Sequence, residues 1–300
     1  MIEHMTLPLS PPVLRPLPTA VVTVADLDAI RVVARRLEVP CGEGVMVWHC
    51  WGEGCPVVLL HGGSGSWTHW VRNIAALVEQ GRQVWIPDLP GFGDSARPPG
   101  GGDADAVPEP LEAALKTLLG NVQIDLVGFS FGAMVGGLLA AQKPERVRRL
   151  VLVGAPALGI GPERRYVLRA WSHLQPGEEF DRVQRANLAT LMLANPDSID
   201  TPALAIQALN LPRDRMKMRR ISRTDILKRS LAQVLCPVYG IWGAEDVLYR
   251  GVGEQLEPAL REAPAFQWLR WIPPAGHWVQ YEAAAAFDLA LAEALQSTKS

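Results

Sequence analysis

The chain has 300 residues, 48% of them hydrophobic and 20% charged. That is enough apolar material for a large core, and it excludes a disordered chain. The 29 basic and 31 acidic residues leave a net charge of −2, which excludes the positive field that draws a protein to nucleic acid or anionic membrane. The 27 glycines and 25 prolines exceed the usual share of about 12% for the two together, so backbone turns carry unusual weight.

Residues 1–20 are proline-rich and read as an extended arm. They lack a basic start followed by an apolar stretch, so they do not read as a secretory signal. No apolar run approaches the ~20 residues needed to span a bilayer. The expectation is a cytoplasmic protein without a membrane partner. Residues 25–38 place Leu27, Ile30, Val33, Ala34 and Leu37 at helical spacing, which completes an arm and helix over residues 1–44. Val45–Trp51 and Pro56–Leu60 read as adjacent strands with Gly-Glu-Gly between them, a hairpin signal.

Further strands are predicted at Val84–Ile86, Ile124–Val127 and Leu150–Val153. Helices are predicted at Thr68–Val78, Leu111–Leu119 and Phe131–Gln142. Strands alternating with helices imply a mainly parallel sheet covered on both faces. After Ala155 the alternation stops, and residues 158–231 read as helix after helix. It resumes with a strand at Val238–Trp242, a helix at Glu254–Leu260, a strand at Trp268–Ile272 and a helix at Tyr281–Leu295. The implied organisation is an α/β core over 45–157 and 232–300, with a helical lid inserted at 158–231.

Cys41, Cys50, Cys55 and Cys236 form no CxxC pair and have no histidine at zinc-finger spacing. They read as reduced thiols, with no metal site.

The strongest chemical signal is Gly128-Phe129-Ser130-Phe131-Gly132, between the strand Ile124–Val127 and the helix Phe131–Gln142. A serine on such a strand-to-helix turn has a strained backbone and needs small residues two positions away on each side. Its hydroxyl stands at a helix N-terminus, where developing negative charge is favoured. A nucleophilic serine needs a base and an acid. His277 follows the last strand, on the sheet edge where an open α/β sheet places its site. Asp246, with Glu245 as its rival, follows the strand Val238–Trp242 and gives the chain order Ser130, Asp246, His277. The glycine-rich stretch His61-Gly62-Gly63-Ser64-Gly65 ends a strand and can bring a backbone N–H to a substrate oxygen. Paired with the N–H of Phe131, it would form an oxyanion hole worth about 10²–10³ in rate per donor. A phosphate-loop reading is weaker, because the Gly-Lys-Ser/Thr ending is missing.

With HGGSGS at 61–66, DLPGFGDS at 88–95, GFSFG at 128–132 and WGAED at 242–246, the chain resembles the α/β-hydrolase-fold serine hydrolases. The resemblance implies catalytic Ser130, Asp246 and His277, and an oxyanion hole from Gly63 and Phe131. It implies no cofactor and a structural role for Asp94 and Ser95. The nearest subgroup in flavour hydrolyses carbon–carbon bonds in meta-cleavage products. It is similar around Trp67, Val71-Arg72-Asn73 and Gly276-His277-Trp278. That subgroup has asparagines where this chain has Phe129 and, nearby, His69. Ordinary ester hydrolysis therefore leads. Carbon–carbon hydrolysis and a non-catalytic binding protein on the same fold are the alternatives.

His61 reads as shaping the glycine loop. His69, Phe129, Trp171 and Trp278 are candidate contacts to a small apolar or aromatic substrate. Residues 212–223 hold six basic side chains, which read as a solvated helix face, one of them able to bind a carboxylate. Trp85, Trp242, Trp268 and Trp271 fall in predicted strands and read as core.

Overall fold

The computed structural model describes residues 17–18, 20–161, 166–216 and 218–296. The proposed arm over residues 1–20 lies outside them except at 17, 18 and 20. Eight strands form one sheet: β1 Arg35–Cys41, β2 Gly44–Trp51, β3 Cys55–Leu60, β4 Arg82–Pro87, β5 Ile124–Phe129, β6 Val147–Val153, β7 Val238–Gly243 and β8 Phe266–Ile272. Their spatial order is β1-β2-β4-β3-β5-β6-β7-β8. β2 runs antiparallel to β1 and β4, and the strands from β4 to β8 are parallel.

The helices are α1 Val24–Val33, α2 Ile74–Glu79, α3 Pro108–Leu119, α4 Phe131–Gln142, α5 Glu178–Leu191, α6 Thr201–Asn210, α7 Ile226–Leu231, α8 Leu256–Leu260, α9 Val279–Glu282 and α10 Ala284–Leu295. α3, α4, α7 and α8 cover one face, over Val58, Leu60, Leu126 and Leu150. α2 and α10 cover the other, over Val57, Leu59, Val127 and Val151. Because both faces are covered, β3 and β5 read as continuous apolar runs rather than alternating ones.

Three expectations are corrected. The N-terminal helix stops at Val33, and residues 35–41 are a strand of the sheet. Its start is fixed by a capping box of Thr23 and Asp26. Beyond it, Leu37, Val39 and Cys41 turn inward at period two, so pairing with β2 overrides the helical spacing. Pro40 is tolerated because β1 is an edge strand. The hairpin is β1–β2, not β2–β3, since β4 lies between β2 and β3. Gly52 and Gly54, both with positive φ, pack instead against the carbonyls of Arg82 and Gly81. Finally, Thr68–Val78 is not one helix but a 3-10 turn, Trp67–Trp70, followed by α2. Trp85 and Trp242 are buried as expected, whereas Trp268 and Trp271 are half-buried because β8 is the other edge.

Between β6 and β7 the described elements are helices and 3-10 turns, but they begin only at Glu178: the described residues of 158–177 form neither helix nor strand, against the expectation of helices from residue 158. Among the described residues no helix is long and apolar enough to cross a membrane.

α10 is tied to α2 by Asp288, whose carboxylate accepts the Asn73 side-chain N–H at 2.8 Å. Burial pushes the Asp288 carboxyl up to about 7, outweighing that hydrogen bond. The folded chain therefore keeps a proton that the unfolded chain releases near the ordinary value of 3.8. Stability from this site is present at low pH and is lost as pH rises from about 4 through 7. Asp288→Asn should accordingly raise the melting temperature by a few degrees at pH 8 and by less at pH 5. An equal gain at both values would contradict this assignment.

Candidate active site

Ser130 follows β5 with φ 51° and ψ −114°. Its N–H donates to the Val153 carbonyl at 2.8 Å, and its own carbonyl accepts from Ala133 and Met134. A Cβ on Gly128 would strike the backbone of Gly132 and Ala133, and one on Gly132 would strike the Leu60 and His61 carbonyls. Both flanking glycines are thus required by close backbone approach.

His277 Nε2 lies 3.0 Å from Ser130 Oγ, and His277 Nδ1 lies 2.8 Å from Asp246 Oδ2. The second Asp246 oxygen accepts the Leu248 N–H at 2.9 Å. Asp246 and His277 are buried. The rival acid, Glu245, is exposed and faces Arg250 at 3.9 Å. Gly154, with φ 54°, makes room for the imidazole: a Cβ there would lie 3.1 Å from His277.

The glycine loop after β3 runs beside this group. Its base is held by His61, buried and with its imidazole pulled down to about 4 by desolvation. Nε2 of His61 accepts the Leu89 N–H at 2.9 Å, so Nδ1 carries the proton and donates to the Gly62 carbonyl at 2.8 Å. His69 lies behind the loop, where its Nδ1 accepts the Gly62 N–H at 3.3 Å. Burial, and then the neighbouring His61 and His277, hold it well below the ordinary imidazole range. Among the described residues, neither the Gly63 nor the Phe131 N–H finds an acceptor.

A cavity of about 690 Å³ opens over Ser130 and His277. Gly63, Phe129, Phe131, Leu191, Met192 and Tyr249 contribute to its wall, with Arg219 and Arg223 as its charged members. Of the four expected substrate contacts, only Phe129 belongs to that wall. His69 is spent on the glycine loop. Trp278 stacks on Tyr281 at 4.1 Å and donates to the His69 carbonyl. Trp171 packs edge-on against Phe180 at 6.3 Å. The basic stretch over 212–223 is not a helix face. Its described residues carry two short 3-10 turns and otherwise irregular chain, and among them Arg213 pairs outward, with Asp94 at 3.1 Å. Asp88, in the 88–95 loop, accepts the N–H groups of Trp67 and Asp94.

The α/β hydrolase fold family matches residues 56–284. The chain belongs to that family. This α/β hydrolase is 30% identical over 252 residues to the dihydrolipoyllysine-residue acetyltransferase component of an acetoin cleaving system from Pseudomonas putida. That match takes in 78% of this chain but spans only 61% of the relative. It is 27% identical over 269 residues to a 2-hydroxy-6-oxo-6-phenylhexa-2,4-dienoate hydrolase of Burkholderia cepacia, across 79% of this chain and 86% of the relative. Its fold is that of a thermophilic esterase from Thermogutta terrifontis, with a TM-score of 0.67 and 23% identity over 87% of this chain and 97% of the other.

One residue carries no motif in the sequence yet fastens the site. Glu282 at the end of α9 accepts the N–H groups of Gly276 at 2.6 Å, Ala194 at 3.0 Å and Asn195 at 2.6 Å. It joins the loop of His277 to the chain after α5. Its only sequence trace is a carboxylate five residues past His277, which nothing distinguishes from a surface charge. Glu282→Gln replaces a charged acceptor of three N–H bonds by a neutral one with a single carbonyl. The loss should be about 1–3 kcal/mol, seen as a lower melting temperature and faster amide exchange at 194–195 and 276. Unchanged exchange there would contradict the tie.

Proposed function

We propose that this α/β hydrolase is a serine hydrolase that cleaves a carboxylic ester through an acyl-enzyme. The observation that supports it most is the unbroken chain of hydrogen bonds from Asp246 through His277 to Ser130 at the floor of a cavity. Ser130 Oγ attacks the carbonyl carbon while His277 Nε2 takes its proton. Asp246 holds His277 with its Nδ1 protonated and stabilises the imidazolium. The carbonyl oxygen, now negative, is received by the N–H groups of Gly63 and Phe131, helped by the N-terminus of α4. His277 then returns the proton to the leaving alkoxide, which departs as the alcohol. A water molecule, deprotonated by His277, attacks the acyl-enzyme and frees the acid and Ser130.

Residues 158–231 act as the lid. They contribute Tyr166, Leu191, Met192 and Arg219 to the cavity wall, so they set substrate choice. The apolar part of the wall, with Phe129, Phe131, Leu191 and Met192, favours an apolar or aromatic acyl or alcohol group.

Carbon–carbon hydrolysis of a meta-cleavage product is the second reading, favoured by the Burkholderia cepacia relative matched over most of its length. Phe129 in the cavity wall, where that subgroup has asparagine, favours the ester.

A fluorophosphonate probe should label wild type at Ser130 and leave Ser130→Ala unlabelled. Labelling of the folded protein elsewhere, or not at all, would overturn the mechanism. On p-nitrophenyl acetate, Asp246→Asn should lose about 10⁴ in kcat, while Glu245→Gln stays within about twofold, as expected of an exposed residue away from the site. The reverse pattern would make Glu245 the acid.

A further inference from the structure

We infer that Ser64, Asp214 and Arg219 form a positioning network that sets the Gly63 N–H for the developing oxyanion. This rests on the ester-hydrolase reading, in which Gly63 and Phe131 supply that hole. Ser64 has φ 52°, a left-handed backbone it shares, among non-glycine described residues, with Ser130 and Ala157. An L-residue there costs about 1–2 kcal/mol, and such a conformation persists only where surrounding contacts hold it.

The contacts come from 150 residues further along the chain. Ser64 Oγ donates to Asp214 Oδ2 at 2.6 Å. The Arg219 guanidinium bonds the same carboxylate oxygen and lies 3.3 Å from Ser64 Oγ. Asp214 Oδ1 accepts the Met216 N–H at 3.0 Å, and Arg219 Nε donates to the Met216 carbonyl at 2.9 Å. Asp214, Met216 and Arg219 are therefore bonded to one another and grip one side chain of the glycine loop.

The same guanidinium reaches both residues of the hole. A Cβ on Gly63 would lie 2.5 Å from Arg219 Nη1, so the absence of a side chain there lets the cation rest on the loop. Its carbon is 5.2 Å from the Phe92 ring and 5.9 Å from the Phe131 ring. The gripping segment is itself anchored. The Arg215 N–H donates to the Gly91 carbonyl at 2.8 Å, and Asp103 accepts the N–H groups of Arg220 at 2.5 Å and Ile221 at 3.2 Å. An oxyanion donor must sit within about 2.7–3.1 Å of the charge it stabilises. A loop released by a few tenths of an ångström would still bind substrate but would stabilise the transition state less. Arg219 and Asp214 act through Gly63 and are positioning residues.

The test compares Ser64→Ala, Ser64→Gly and Asp214→Asn with Arg213→Ala, an exposed neighbour outside the network. The measurements are kcat and KM on a p-nitrophenyl ester, the affinity of an alkyl boronic acid that forms a tetrahedral adduct on a nucleophilic serine, and amide exchange over residues 61–66. In the first three variants kcat should fall about tenfold or more, with KM within about twofold. Boronate affinity should fall in step and exchange at 61–66 should quicken, while Arg213→Ala matches wild type. Ser64→Gly is decisive within the set, because glycine accepts the backbone without strain but lacks the hydroxyl. If the variants keep kcat and boronate affinity and lose only melting temperature, the network is a staple and the inference fails. Wild type that neither turns over the ester nor binds the boronate would sink the hydrolase reading instead. In that case unchanged exchange at 61–66 in the variants would still overturn the positioning role.

Discussion

Ser130 is held at a backbone geometry that costs on the order of 1–3 kcal/mol, and the rest of the site is arranged around that one residue. The strain is sustained from both sides. The Ser130 N–H is bound to Val153 in the neighbouring strand, and its carbonyl starts the hydrogen-bond ladder of α4. β5 and α4, buried nearly throughout, cannot move apart to relieve it. Gly128 and Gly132 let the two elements approach closely enough for the turn to exist. The turn lifts the hydroxyl off the strand end and leaves the first N–H of α4 without an intrahelical partner.

The partners of that serine arrive from the sheet's other half. β5 to β8 are parallel neighbours, so the loops after β7 and β8, which carry Asp246 and His277, emerge on the same edge as Ser130. What brings them within hydrogen-bond reach is local. Gly154 vacates space for the imidazole, and Glu282 and the Met192 carbonyl hold the His277 loop from behind. Arg72 and Tyr281 both bind Asp200, the N-cap of α6. The start of α6 is thereby fastened to α9, which follows the His277 loop. The cavity shape and the triad geometry then share supports, and a substitution in one can be read in the other.

Much of this was legible in the sequence because its signals are short-range. GFSFG between a strand and a helix, and HGG after a strand, each describe a turn whose backbone demands those residues. Likewise Asp246 and His277 were readable as residues at strand ends. The errors have a common cause in partners far along the chain. Residues 35–38 continue a helical period, yet pairing with β2 makes them strand. The Gly-Glu-Gly turn looks like a hairpin until β4 is inserted between its arms. Trp171 and Trp278 read as substrate contacts by position, one in the lid stretch and one beside His277, but Phe180 and Tyr281 take up their rings. Glu282, Asp214 and Arg219 were invisible as site supports, since the loop residues they hold, Gly276, Ala194 and Ser64, lie 6 to 155 residues away.

Ser130 as nucleophile, with Gly63 and Phe131 receiving the charge it creates, makes a geometric demand on any tetrahedral adduct. The most direct measurement is a crystal structure of the protein reacted with a trifluoromethyl ketone. The expected adduct is a hemiketal on Ser130 Oγ, its oxyanion within about 2.7–3.1 Å of the N–H groups of Gly63 and Phe131, with His277 still bonded to Asp246. An adduct on another residue, or one on Ser130 whose oxygen faces away from both N–H groups, would contradict it.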